Sequence, residues 1–534
     1  VSAGAAPAWH PRRLLAGLAL LFVVIAGSAM LRNSATWDEI VFMSVGARGM
    51  HTGDFDIVND HPRLAQYLYG VPAWLAARRY PPEDGRWSSV SRYYYSRAFL
   101  WGVGNEPERI IMSARLVGLA FGVLTVLGVF FLSRRHLGDG WALFAAALTA
   151  FMPDMLAHSG VAYNDVPLAF GYLAGVYALD AAVRDPSARR VALAALAFAL
   201  TMCIKYSGLI LGPVLLALLA MEAAAGRWRD RAWLRRVEIA VPIFAAIVFV
   251  VIEVLYAGAW PPLGRYISGL QEVQYLSEQG RPAFLLGESR RGGWWYFFPV
   301  AFALKTPLGL HLLMVAAIAG AVIAARRGRV AWLSHPARAA AVGAAMFVAV
   351  AFLSGFNIGT RHVLPIIPLA CILVAQGVAA AWEAGKRAVH VAIALSFAAF
   401  AISSLSAYPY FLSYLSEYAW GRGPARTLVD SNTDWGQGLL ALRDFMREHR
   451  QERVALAYFG SALPEGYGIR YLPLTSFLSL PKQPEPARFP RYIVVSATLL
   501  TGNYLTGDPY AKLRLAKPVA ILGGSLYVYD GGAR

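Results

Sequence analysis

Long apolar runs alternate with short polar breaks through most of this chain. Eleven of them read as membrane-spanning helices, at about 14–31, 111–132, 141–158, 167–183, 191–204, 208–224, 237–256, 297–324, 340–354, 363–382 and 388–405. A helix needs roughly 20 apolar residues to cross the hydrocarbon core of a bilayer, so the fifth run has the least certain edges. The first follows Arg12 and Arg13 in the manner of a signal peptide. No small-residue cleavage site clearly follows it and many more spans come after, so a retained first helix is expected.

Two polar stretches interrupt the pattern. One is a first loop, about 32–110, with Trp, Tyr and Arg mixed in RWSSVSRYYYSRAFLW. That mixture suits helices lying at a membrane interface. The other is a tail, 406–534. Its GQGLLALRDFMREHR places Leu439, Leu440, Leu442, Phe445 and Met446 on one side and Arg443, Arg447 and Glu448 on the other, an amphipathic helix. RVALAYFG, RYIVVSATLL and SLYVYD are strand-like. The expected fold is a polytopic α-helical membrane domain, 1–405, followed by a small C-terminal α/β domain, 406–534.

Composition supports this division. Of 534 residues, 57% are hydrophobic and 15% charged, where soluble domains carry about 25% charged. A disordered chain and an ordinary soluble enzyme are excluded. The formal charge of +17 would suggest nucleic acid in a soluble protein. Here the basic residues gather in alternate loops: Arg134 and Arg135; Arg184, Arg189 and Arg190; Arg227 to Arg236; Arg326, Arg327, Arg329 and Arg338; Lys386 and Arg387. The positive-inside rule makes those loops and the N-terminus cytoplasmic. With an odd number of spans the tail is then outside a bacterial plasma (inner) membrane, and no nucleic-acid partner is needed. Cys203 and Cys371 lie in or beside apolar runs, too few and too far apart to suggest a disulfide framework.

Ionisable residues at a membrane need a reason to be there. Asp38 and Glu39 follow the first span in SATWDEIVF. They suit a base or a metal ligand, or the start of an interfacial helix. Asp60, His61 and Arg63 flank Pro62 in NDHPRL, where a helix start could hold a phosphate or simply begin a helix. Asn164 and Asp165 precede a span in AYNDVPLAF and could instead be caps. Lys205, Lys305, Arg361 and His362 break the charge bias by falling on the outer side. Snorkelling accounts for Lys205 more easily than for Lys305 or Arg361. Acids and cations at one membrane face suit transfer of a sugar from a polyprenyl phosphate to a hydroxyl. A carboxylate takes the acceptor proton and the cations stabilise the departing phosphate.

WDE, DHPRL, NDVPLAF, LKTP and RHVLPIIP, in that order, resemble the protein O-mannosyltransferase and aminoarabinose lipid A transferase superfamily of GT-C membrane glycosyltransferases. DSNTDWGQGL in the tail resembles a motif of bacterial dolichyl-phosphate-mannose-protein mannosyltransferases. The resemblance implies Asp38 as base with Glu39 its acidic neighbour, Asp165 as second acid, and His61 and Arg361 near the donor phosphate. Arg63 stands where the family has a second proline. The resemblance also implies an inverting single displacement, with mannose as the default sugar. It leaves metal use undecided; Asp38 and Asp165 are the carboxylates that would hold Mg or Mn. The acceptor, whether a protein Ser/Thr, lipid A or an envelope glycan, stays open. A transporter or flippase of lipid-linked sugars is the alternative, as is a non-catalytic glycolipid-binding protein. Charges gathered at one face favour the enzyme, because transporters carry theirs near the midplane on broken helices.

Overall fold

The computed structural model describes residues 10–88, 91–328, 335–486 and 488–532; Arg329 of the basic loops lies outside them. The protein is mostly α-helical. It opens with α1 (Pro11–Met30). The first polar stretch then forms α2 (Glu39–Thr52), α3 (Arg63–Ala76) and α4 (Arg92–Arg97). Next come α5 (Pro107–Phe151), α6 (Pro153–Ser159), α7 (Asp165–Arg184), α8 (Ala188–Ile204), α9 (Leu211–Ala224) and α10 (Arg231–Leu255). After α11 (Pro262–Glu278) and an antiparallel hairpin of β1 (Pro282–Leu285) and β2 (Glu288–Arg291) stand α12 (Phe297–Lys305), α13 (Leu308–Arg326), α14 (His335–Phe352), α15 (Ile366–Ala384) and α16 (Arg387–Ser406).

Eight helices among the described residues are long and apolar enough to cross a membrane, which makes this a multi-pass integral membrane protein. Eleven were expected, and local chemistry accounts for the difference. Two expected spans lie end to end in the 45-residue α5, which is two helices divided by a kink at Gly138 (φ 74°, ψ 169°). Glycine enters that region without a Cβ clash. The expected span 141–158 is cut at Met152, whose extended backbone precedes Pro153. The expected span 297–324 is two helices, because Thr306 is extended and Pro307 cannot continue α12. Only α13 of that pair is long enough, and α8 has just 17 residues. The apolar part of α14, Ala337–Phe352, is also short. By contrast α10 has 25 residues, and its most apolar window is only 6% buried. Its exposed Ile239, Val241, Phe249 and Val250 suit a helix bathed in lipid.

The tail contains α17 (Leu439–Glu448), which buries Leu439, Leu442, Phe445 and Met446 but leaves Leu440, expected on the same side, only half-buried. Its sheet has β3 (Val454–Ala457), β4 (Tyr471–Pro473), β5 (Tyr492–Ser496), β6 (Ala520–Leu522) and β7 (Leu526–Asp530) in the order β4-β3-β5-β7-β6. The β4, β3 and β5 strands run parallel, while β7 and β6 pair antiparallel. Tail and first loop share one core, in which Trp37, Ile40 and Tyr95 belong to the same buried cluster as Trp435, Leu456 and Val494. Backbone bonds stitch the two together, from Trp37 N to the Trp435 carbonyl (2.8 Å) and from Ser34 N to that of Gln437 (3.1 Å). Within the first loop α2 and α3 meet at Gly46 and Gly70. A Cβ on Gly46 would lie 2.3 Å from the Gln66 carbonyl oxygen, so only glycine permits this approach.

Candidate active site

A cavity of about 390 Å³ opens where the first loop, the segment 257–296, the turn before α15 and the tail meet. Of the residues singled out from sequence, Asp38, Asp60, His61, Lys205, Arg361 and His362 line it. Glu39, Arg63, Asn164, Asp165 and Lys305 do not. Two of those five, Asn164 and Asp165, still touch a residue that does.

Asp38 is the N-cap residue of α2, yet its side chain makes no capping bond. The carboxylate instead receives the Tyr93 hydroxyl at 3.2 Å and faces Arg361 at 3.6 Å. Its side chain is 23% exposed, which leaves it reachable from the cavity. Asp165 is likewise no cap. Its two oxygens meet Lys205 at 2.5 Å and Arg361 at 3.4 Å. A buried guanidinium and a half-buried ammonium thus share this carboxylate. Arg361 lies over the rings of Trp435 and Tyr163, 4.5 and 4.8 Å from their centroids, and donates to Ser431 Oγ at 2.9 Å. Stacking and a fixed fork of donors hold a guanidinium in one orientation. Burial pushes the Lys205 ammonium down, against the pull of Asp165.

Two histidines line the cavity beside these cations. Burial holds His61 below its usual range, although Asp60 opposes the shift. Burial, then Arg361 and Lys205, holds His362 well below its own. Both shifts favour the neutral imidazole, whose ring N–H can still donate to a phosphate oxygen. Asn164 donates to the Ile204 carbonyl (3.1 Å) and lies 3.4 Å from His61 Nδ1. It therefore orients that ring. Asp60 receives Arg92 Nη1 at 2.9 Å on each oxygen. Burial raises the Asp60 carboxyl, but His61 and Arg92 outweigh it and leave it lowered.

Three expectations change in character. Glu39 is fully buried and receives the Arg115 guanidinium at 2.6 and 2.9 Å, with the backbone N–H groups of Thr36 and Ala162 at 2.9 Å each. It has no oxygen left for substrate. Arg63 is wedged between Phe55 and Tyr256 and reaches Asp56. Its backbone N–H meets Tyr256 Oη at 3.3 Å, so this helix start is already engaged. Lys305 neither snorkels nor faces the cavity. It donates to the carbonyls of Leu412 and Asn432 at 2.7 Å each and lies 3.4 Å from Asp154. Asn432 Oδ1 in turn receives the Thr360 N–H at 3.0 Å. Lys305 therefore fastens the tail motif beside Arg361.

Several lining residues escaped the sequence reading. Arg92 and Tyr93 sat in a stretch read only as an interfacial helix. Arg281 comes from the segment 257–296, whose helix and hairpin were not anticipated; it forms no ion pair among the described residues. Asp430 and Trp435 belong to DSNTDWGQGL, whose resemblance was noted without a role. Among the described residues no group of three or more His, Cys, Asp or Glu side chains could hold a metal ion. Asp165 is 1% exposed and engaged by two cations, so the Asp38 and Asp165 pair does not fit a divalent ion.

Behind the cavity, Asp434 is wholly buried; one oxygen receives the Thr498 N–H at 2.8 Å and the other has no partner. Burial pushes its carboxyl up to about 7 from 3.8. A raised folded value means stability that is full below the unfolded value and lost as pH rises through the folded one. Thermal melting of the purified protein should therefore show a stability decline between about pH 4 and 7, at about 1.4 kcal/mol per unit of displacement. Asp434→Asn should flatten that slope.

No curated protein sequence matches this chain. Several solved structures are similar to it at low identity. ArnT from Cupriavidus metallidurans in the apo state aligns at TM-score 0.47 and 13% identity, covering 96% of this chain and 98% of that one. The same protein bound to undecaprenyl phosphate aligns at 0.45 and 12%, over 97% and 98%. The oligosaccharyltransferase AglB from Archaeoglobus fulgidus aligns at 0.45 and 14%, over 74% and 55%. Residues 108–256 match the family described as dolichyl-phosphate-mannose-protein mannosyltransferase, a stretch that holds Asp165 and Lys205 but not Asp38, His61 or Arg361.

Proposed function

We propose that this protein is a membrane glycosyltransferase that moves a sugar from a polyprenyl-phosphate donor to a hydroxyl acceptor, with inversion, at the outer face of the membrane. The carrying observation is that one cavity joins a reachable carboxylate, Asp38, to the cations Lys205, Arg281 and Arg361, with Ile210, Phe347 and Val350 on an apolar wall. That combination suits a substrate with a reactive sugar, an anionic phosphate and a lipid chain.

In the proposed reaction the acceptor oxygen attacks C1 of the sugar from the face opposite the phosphate. Asp38 takes the hydroxyl proton as that bond forms. The C1–O bond to phosphate breaks, and its electron pair stays on the phosphate oxygen, which Arg361, Lys205 and Arg281 stabilise. The products are a glycoside and a polyprenyl phosphate, with the proton on Asp38. Mannose, the sugar in the matched family's description, is the first donor to test. The acceptor is a protein, a glycolipid or an envelope glycan.

The test is turnover of purified protein with a panel of polyprenyl-phosphate sugars, followed by mass spectrometry. Release of polyprenyl phosphate with a new glycoside is expected. Movement of lipid-linked sugar across vesicles with no product would overturn the reading in favour of a flippase. Lys205→Met should raise the donor KM about 10- to 100-fold, the range for losing one hydrogen bond to a charged group, with a smaller change in kcat.

A further inference from the structure

Five aromatic rings form a continuous surface in the cavity, and the proposed reaction assigns them nothing. Trp37 and Tyr93 come from the first loop; Phe459, Phe477 and Tyr504 come from the tail. Trp37 stacks on Phe459 at 4.7 Å and lies 5.5 Å from both Phe477 and Tyr93. Tyr504 lies 5.2 Å from Phe459 and 5.3 Å from Phe477. Phe477 is 50% exposed, whereas Trp37 and Phe459 are buried. The surface thus runs from beside Asp38 out to solvent.

Each end of this surface carries a carboxylate held by a ring hydroxyl. Tyr93 donates to Asp38 and Tyr504 donates to Asp430. Asp430 is itself unusual. Its φ is +56°, in the left-handed region that few side chains adopt. Its backbone N–H donates to Thr498 Oγ1 at 3.0 Å, and the side chain lines the cavity. Such backbone settings gather at functional sites.

We infer that the tail supplies the acceptor half of the site, and that the acceptor is a pyranose ring laid on the aromatic surface with a hydroxyl at Asp430 and the reacting hydroxyl at Asp38. The inference rests on the glycosyltransferase reading. A pyranose offers an apolar C–H face for rings and a rim of hydroxyl donors for carboxylates. A serine side chain has no comparable C–H face. The lipid-borne donor has the apolar wall and the cations, whereas the rings lead away to solvent at Phe477. The acceptor sugar could be free or the headgroup of a glycolipid.

Saturation-transfer NMR on the full-length protein in detergent tests this with three probes: a soluble hexopyranose tetrasaccharide, an acylated glucosamine disaccharide in micelles, and a serine hexapeptide. Saturation should reach ring C–H protons of a sugar probe, and whichever responds identifies a free or a lipid-borne acceptor. Phe477→Ala should weaken that probe about 5- to 10-fold, Phe477→Trp should restore it, and Tyr504→Phe should weaken it by releasing Asp430. Because Phe477 is half exposed, its variants should fold. Binding of the hexapeptide alone, of no sugar probe, or Trp failing to rescue would overturn the inference. Donor turnover without sugar binding would sink this inference and leave the glycosyltransferase reading standing. Sugar binding without donor turnover across the panel would overturn the glycosyltransferase reading and the acceptor role with it, leaving a sugar-binding surface.

Discussion

Replacing Asp38 by Asn should lower sugar transfer about 10²- to 10⁴-fold, the range for removing a positioned general base, while the protein stays folded and inserted. Asn keeps the size of the side chain and can still accept the Tyr93 hydroxyl bond. It lacks the basicity to take the acceptor proton. The contact with Arg361 is long at 3.6 Å, so its loss leaves that guanidinium with Asp165, Ser431 and two aromatic faces. Donor KM should therefore move much less than kcat. A purified Asp38→Asn protein with full activity would remove Asp38 from the reaction.

The neighbouring acid should behave in the opposite way. Glu39→Gln should destabilise the protein by about 3–5 kcal/mol, the usual cost of removing one partner from a buried ion pair. Arg115 is 1% exposed, and its remaining acceptors are the carbonyls of Met30, Asn33 and Ser34 at 2.8–2.9 Å. Those carbonyls cannot neutralise its charge. The effect should appear as a lower melting temperature in detergent, with the surviving folded fraction retaining transfer. Replacing both residues by methionine should recover much of the loss, because a buried pair often exchanges for apolar packing at little cost. If Glu39→Gln melted normally and lost transfer, Glu39 would belong with the catalytic groups instead.

Two adjacent acids with such different surroundings show what the sequence could and could not carry. Apolar periodicity placed most helices and found the buried stripe of α17, since burial follows spacing directly. It could not foresee the break at Pro307, where one apolar run becomes two helices. Outer-face charges led to Asp38, His61, Lys205 and Arg361. The same signal could not tell Glu39 from Asp38, because neighbours on a helix point in different directions and their partners come from distant segments. Lys305 was noticed as an unusual cation, but its carbonyl acceptors lie more than a hundred residues away. Arg281 carried no local mark, and Arg92 and Asp430 lay in stretches whose composition or motif gave them no role. Each enters the cavity through tertiary contacts alone.

The stitching of the first loop to the tail also sets a time constraint. The Ser34 hydroxyl bonds to the Gly436 carbonyl across 402 positions of sequence. At about 5–20 residues per second of synthesis, the segment that carries Asp38 waits roughly 20–80 s for the tail segment that completes its surroundings. During that interval Trp37 and the apolar side of α2 have no cover from the tail. The cavity is therefore one of the last parts of the molecule to form, and nascent chains stalled before Gly436 should be inserted yet unable to carry out transfer.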